Sequence, residues 1–327
     1  MNDVAAAAAV SLKTVSRVVN NEPRVGDDVA QRVNRAIAEL GFRRNDIAHN
    51  LRKGHSSRTL GLVIEDVANP FYSTIARGVE DVAHARGYMV ITGSSAENPA
   101  QEQALVAALV QRRVEGLLIV PAARDHAYLH PEIATGTPVV FLDRPPVNLA
   151  ADAVLLDNQG GARRGVEHLL ARGHRRIGVI AGFPDVYTGA ARIAGYREAL
   201  ATADIAVDPS LLCFEAHDTD MAEGAAHRLL HLPDPPTAVF ATNNRLSIGV
   251  IRARQAYTGR LDLVGFDEVE LADLLRVPIT VIRHDPAMLG RRAAELLFAR
   301  LNGDERLPRV EMLPTELVVR DGAAPLR

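Results

Sequence analysis

The chain has 327 residues, 47% of them apolar, and a net charge of −3, which is too long for one compact core and apolar enough for two or three domains. No apolar run approaches the ~18 residues of a membrane span, no charged-then-apolar leader opens the sequence, and the single cysteine, Cys213, excludes an intramolecular disulfide and a cysteine-built metal centre; a cytoplasmic protein is expected. The charge is uneven: residues 1–58 hold ten Lys and Arg, including both lysines, Lys13 and Lys53, against six Asp and Glu. A cationic small domain on an acidic body directs attraction for polyanions to one end, although an excess this modest is common.

Asp3 to Ala8 is alanine-dense, and alanine has the highest helix propensity. Ser11 can cap a second helix, Leu12 to Asn20, by accepting from the backbone of its first turn. Val15, Val18 and Val19 of that helix would join Val4 and Ala8 in a small core, leaving Leu12, Lys13, Ser16, Arg17 and Asn20 outward. Lysine, serine, arginine and asparagine are the types that bind phosphates and base edges. A third helix, Asp27 to Leu40, carries Val29, Val33, Ala36, Ile37 and Leu40 at helical spacing and stops at Gly41. Three small helices with a polar second helix fit a helix-turn-helix module; an alanine-rich amphipathic pair that packs on something else fits the bare pattern too. Arg43 to Ser57 is a linker in which Ile47, Ala48 and Leu51 have apolar spacing, too short a helix to stand alone in water.

From Arg58 onward, strand-length apolar runs (LGLVIED, YMVITGS, VEGLLIVPA, TPVVFLD) alternate with helical patterns over Phe71–Arg86 and Pro99–Arg113. A second series follows, with strands in RRIGVIAG, LLCFE, TAVFAT and LDLVGFD and helices near Gly189–Ala201, Met221–Leu232 and Leu246–Tyr257. This is the signature of α/β lobes, parallel sheets flanked by helices. Ile279–Arg283, a helix over Pro286–Asn302 and end strands in VEML and ELVVR complete the body. The expected lobes are about 59–157 with 286–315, and 158–285 with 316–327. Ligands of such sheets bind beyond the carboxyl ends of the strands. Polar groups gather there: Asn69 with Phe71 and Tyr72, Asp143 with Arg144, Asp157, Thr188 with Arg192, Asn243 with Asn244, and Asp267. Carboxylates, amides and arginine forks beside an aromatic face suit a hydroxyl-rich ligand. Each of these residues alone also fits a cap or turn, and Asn158 beside Asp157 is placed to cap the next helix. No P-loop and no G-X-S-X-G elbow occurs, and His174, His217 and His284 lack a nucleophile or further ligands at a meaningful spacing. No catalytic residue, cofactor or metal is expected.

AAVSLKTVSRVVN, VAQRVNRAIAELGFRRN and the following IAHNLRKG resemble the headpiece of the lactose-repressor (LacI/GalR) family, and the resemblance continues over nearly the whole chain. It implies a sequence-specific DNA-binding regulator, a repressor, with a helix-turn-helix domain at 1–44, a hinge helix at 45–58 and a periplasmic-binding-protein-like body at 59–327. A small-molecule effector, a sugar or sugar derivative, would sit between two lobes of the body. It implies a homodimer on a pseudo-palindromic operator. Lys13 and Arg17 would read bases beside an apolar contact from Leu12; Thr14, Ser16 and Asn20 would hold phosphates; Leu51 would wedge the minor groove. NPFY, FLDR, the Arg-X-X-Gly-Tyr at Arg192–Tyr196, TNN and VGFD sit where the family places effector contacts. They carry the role to Phe71, Asp143, Arg144, Thr188, Arg192, Asn243 and Asp267, with Asn69, Tyr72 and Asp157 beside them.

The departures are specific. Ala9 stands where the family has a turn glycine, and the residues that precede the first helix are missing, so Asn2 substitutes as a cap or the start lies upstream. The family's aromatic after the LLCFE strand is absent, with Thr219 nearby, and Thr-Asn-Asp reads Thr242-Asn243-Asn244. Arg144 beside Arg192 leaves room for an acidic sugar. The rival readings are a plain tether for the linker, and a solute-binding protein or sugar-processing enzyme for the whole.

Overall fold

The structure is a computed structural model; the described residues are 1–19, 25–41, 57–214, 216–270, 272 and 278–320. The chain divides into two compact units, Met1–Ser57 and Arg58–Arg327.

The first unit contains α1 (Asn2–Ala7), α2 (Leu12–Val19) and α3 (Asp27–Glu39). Val4, Val15 and Val33 are fully buried at its centre, with Ala5, Ala8 and Ala36 around them and Val18, Val19 and Ile37 at the margin. Leu40 does not join this core: it is the C-cap of α3 and half its surface is exposed, because the helix ends before its side chain turns inward. Ser11 caps α2 as its position suggests, its Oγ accepting from the Thr14 N–H at 3.1 Å. Asn2 is not a cap; it lies inside α1, and Met1 holds the N-cap position without a side-chain bond.

The turn after α1 is a Schellman motif: the Val10 N–H donates to the Ala5 carbonyl and the Ala9 N–H to the Ala6 carbonyl. That pattern needs a left-handed residue, and Ala9 supplies it at φ 48°. A side chain there costs about 1 kcal/mol. Ala9→Gly is therefore expected to stabilise the unit by roughly 0.5–1 kcal/mol, read as slower amide exchange in α1 and α2; faster exchange would show that the turn is held by other means.

The second unit runs β1 (Thr59–Ile64), α4 (Pro70–Ala85), β2 (Met89–Ser94), α5 (Pro99–Gln111), β3 (Gly116–Ile119), α6 (His130–Ala134), β4 (Val139–Leu142) and β5 (Asp152–Leu156). It continues through α7 (Asn158–Ala171), β6 (Ile177–Ile180), α8 (Tyr187–Thr202), β7 (Leu212–Cys213), α9 (Thr219–Leu230), β8 (Ala238–Ala241), α10 (Asn244–Gln255) and β9 (Asp262–Phe266). β10 (Thr280–Arg283), α11 (Pro286–Leu301), β11 (Val310–Leu313) and β12 (Glu316–Val318) complete it. Three helices start with Asn-Pro or Asp-Pro (Asn69, Asn98, Asp285), the side chain accepting from the first turn and the proline pre-set for the helix.

Among the described residues there are two six-stranded sheets, ordered β11-β5-β4-β3-β1-β2 and β12-β10-β9-β8-β6-β7. Every pairing is parallel except β10 with β12. The first five strands of each series therefore repeat one topology. The central strands of each sheet are buried on both faces by helices and read as nearly continuous apolar runs. The chain passes between the sheets after β5, after β10 and again at Pro314–Thr315, between β11 and β12. Gly78 of α4 and Gly290 of α11 let those two helices approach to backbone contact. Among the described residues no helix is long and apolar enough to cross a membrane.

Candidate nucleic-acid face and ligand cleft

In the first unit, α2 buries Val15 and leaves Leu12 and Lys13 exposed, with Thr14, Ser16 and Arg17 half-buried. Thr14 Oγ1 lies 2.9 Å from Ser11 Oγ, so this hydroxyl belongs to the cap as well as to the outward face. Asn20 and Leu51 lie outside the described residues.

In the second unit, the two sheets point their carboxyl ends at one cavity of about 760 Å³. The equivalent strands β4 and β9 end in equivalent residues. Asp143 and Asp267 each adopt a left-handed backbone, φ 67° and 70°. Each N–H then reaches the neighbouring strand, Asp143 to the Val154 carbonyl and Asp267 to the Ile282 carbonyl. Aspartate is among the few residues that tolerate this region, and strain of this kind gathers at functional sites. The environments differ. Burial pushes the Asp143 carboxyl up, and the nearby Arg144 and Arg192 only partly oppose this; its Oδ1 has no hydrogen-bond partner. Burial acts the same way on Asp267, but Arg192 and a 2.8 Å bond from His284 outweigh it, and the group is held below the usual carboxylate range.

Arg192 projects from α8 into this floor. Its Nε donates to Asn158 Oδ1 at 2.8 Å, its Nη1 to the Thr242 carbonyl at 2.6 Å, and its guanidinium lies 3.8 Å over the Phe266 ring. Arg144 donates to both oxygens of Glu97 and to the Pro121 carbonyl. Both arginines are engaged by protein acceptors, while the buried Arg144 Nε has no hydrogen-bond partner.

Asn69 and Asn243 cap α4 and α10 from opposite sides. Asn244 Nδ2 donates to Asn69 Oδ1 at 2.9 Å, and Arg245 pairs with Asp66, so the two lobes are linked directly at this rim. This explains the Thr-Asn-Asn spelling: an aspartate at 244 would bring an acceptor against an acceptor. Phe71, Tyr72 and Thr188 line the cavity with these residues. Asp157 does not. It caps α7, accepting from the Gly160 N–H at 3.0 Å, and pairs with Arg164. Asn158 is no cap either; it is buried, with its oxygen on Arg192 and its nitrogen on the Leu156 carbonyl.

Other lining residues were not expected from sequence. Glu65 closes β1, Glu97 follows β2, and Arg245 sits in the first turn of α10. Phe183 and His217 stack at 3.8 Å with 18° between their planes. They supply the aromatic wall that the chain lacks near Thr219, from two loops that sequence alone does not bring together. Among the described residues no group of acidic, imidazole or thiol side chains is arranged to hold a metal.

The comparisons with known proteins agree with this geometry. Residues 1–45 match bacterial regulatory proteins of the lacI family, and residues 166–322 match the periplasmic binding protein-like domain. The HTH-type transcriptional repressor CytR of Escherichia coli (strain K12) is 30% identical over 324 residues, covering 98% of this chain and 95% of that protein. The lac repressor dimer bound to operator and the anti-inducer ONPF superposes with a TM-score of 0.81 at 28% identity, covering 97% of each chain. The transcriptional regulator CelR in complex with cellobiose superposes with a TM-score of 0.72 at 31% identity, covering 97% of this chain and 98% of that one. A helix-turn-helix unit, a two-sheet body open at the strand ends and end-to-end similarity to such repressors mean that this chain belongs to the lacI family of bacterial regulatory proteins, as a DNA-binding transcriptional regulator.

Proposed function

We propose that the cleft of the second unit binds a small hydroxyl-rich effector, a sugar or sugar derivative, and that its occupancy sets the operator affinity of a homodimeric repressor. The observation that carries this is the arrangement of Asp143, Asp267 and Arg192 on the cavity floor, with Phe71 and the Phe183–His217 stack as apolar walls. Paired acceptors and donors hold hydroxyls, and rings cover the apolar face of a pyranose or furanose. The floor is built from both lobes, so a ligand bound there favours one closure of the cleft over another. CelR, with cellobiose bound, and the lac repressor dimer on its operator support the carbohydrate and the two-fold assembly by similarity.

On DNA, Lys13 and Arg17 would read bases with Leu12 as the apolar contact, while Thr14, Ser16 and Asn20 hold phosphates and Leu51 wedges the minor groove from a hinge at 45–58. No catalytic role is assigned to the cleft. Arg17→Ala is expected to weaken operator binding by about 1–3 kcal/mol with little change on random duplex; equal loss on both would remove the base-reading role. The reading as a whole is tested by titrating a pulled-down operator library against a carbohydrate panel in a gel-shift assay. A salt-dependent DNA shift that one panel member reverses or strengthens supports it. Carbohydrate binding without any DNA shift would favour a transport solute-binding role instead.

A further inference from the structure

One end of the cleft crowds three carboxyl groups around one guanidinium. Glu65 and Glu97 both approach Arg144: Glu97 accepts two of its N–H groups, and Glu65 lies 3.7 Å away. Asp143 is a third carboxylate on the same guanidinium, 3.8 Å from its Nε. The other two arginines lining the cavity have acidic partners of their own, Arg245 with Asp66 and Arg192 with Asp267. Arg144 is therefore the one guanidinium within ion-pair distance of all three carboxyl groups, with Arg192 acting on Asp143 from further away. The crowding has a backbone counterpart: Ala96 and Glu97 adopt consecutive left-handed conformations, φ 51° and 56°, where Glu97 pairs with Arg144. A second observation marks the place as a binding site. Asp143 lines the cavity, and its enclosed Oδ1 has no hydrogen-bond partner.

A hydroxyl can donate to these oxygens but brings no charge to offset theirs when they ionise. A metal ion would neutralise it, yet among the described residues no acidic side chains converge closely enough to hold one. An ammonium group supplies positive charge and three donors at once. Resting on the cleft as the effector site, we propose that the effector bears a protonated amine on its hydroxylated ring, an amino sugar or aminocyclitol, seated against Glu65, Glu97 and Asp143.

The site gives this a pH signature. Burial and the adjacent Glu97 push the Glu65 carboxyl up to about 7, against the opposing Tyr72 hydrogen bond and Arg144 charge. Of the groups facing it, Glu97 is held below its ordinary range by Arg144 despite burial, and burial lifts the Tyr72 hydroxyl far above neutrality. Arg144 stays charged. Asp143, raised by burial, ionises in the same direction as Glu65. A cationic ligand favours the ionised carboxylates, so its affinity rises from pH 5.5 to 7.5.

The test is calorimetric titration of the full chain with 6-amino-6-deoxyglucose, glucosamine and galactosamine, each against its neutral parent hexose. At pH 7.5 at least one amine should bind ten-fold or more tighter than its parent. For the 6-amino sugar, whose aliphatic amine stays protonated across this range, the advantage should shrink several-fold at pH 5.5. Glu65→Gln, which keeps the acceptor for Tyr72, should remove most of the preference while the melting curve stays cooperative. Tighter binding of the neutral parents, or a preference unchanged in Glu65→Gln, overturns the amine alone. Binding of neither set overturns the cleft reading together with it.

Discussion

Arg192→Ala is expected to abolish the effector response while operator binding persists. The guanidinium serves four partners from a position 6% exposed: Asn158, the Thr242 carbonyl, Asp267 and the Phe266 ring. Its removal strips a buried amide and a buried carbonyl of their donor and leaves Asp267 with the His284 imidazole as its side-chain partner. Breaking a buried pair from one side typically costs about 3–5 kcal/mol of stability, so the body should melt earlier, and effector affinity should fall as the cavity floor loses its shape. Arg192→Lys restores a charge but not the planar fork, and should recover stability better than binding. Calorimetry with the active panel member and a gel shift on the operator separate the two effects. A response that survives in the alanine variant would place the effector elsewhere.

A large stability loss is expected at the crossing of α4 and α11. A Cβ on Gly290 would lie 2.1 Å from the Ile75 carbonyl oxygen, and one on Gly78 would lie 2.1 Å from the Ala287 carbonyl oxygen. Both obstacles are backbone, so no side-chain rotation relieves the clash; the helices must separate, opening gaps along a packed interface. Gly290→Ala should therefore destabilise the second unit by on the order of 3 kcal/mol, at the upper end of overpacking effects, measured by urea unfolding. The double variant with Gly78→Ala should cost less than the sum, since one separation accommodates both methyl groups. A loss below about 0.5 kcal/mol would mean that the helices are not in backbone contact in solution.

The fold is legible because its signals are local. Buried parallel strands read as unbroken apolar runs, and Asn69-Pro70, Asn98-Pro99 and Asp285-Pro286 announce helix starts by chemistry that works within one turn. The floor of the cleft is legible for a related reason: Asp143 and Asp267 directly follow strands, and strand ends in such sheets face the ligand. The same rule misplaces Asp157, which also follows a strand but turns back to cap α7. The cue was local there too, since the next residues open a helix whose N–H groups need an acceptor. Glu65, Glu97, Phe183 and His217 are not legible. Glu97 depends on two left-handed residues with ordinary side chains, and the Phe183–His217 stack joins loops 34 residues apart in the sequence. Ala9 shows the converse: the turn is correct although its residue is the wrong type for it.

The linker at Pro314–Thr315 has a genetic consequence. β11 completes one sheet and β12, two residues later, the other, while Thr315 Oγ1 accepts from Arg164 at 2.7 Å. A frameshift or stop codon shortly before Val310 would remove an edge strand from both sheets at once and spare the headpiece. Such alleles should unfold the sensing body as a whole, rather than yielding a regulator that is merely blind to its metabolite.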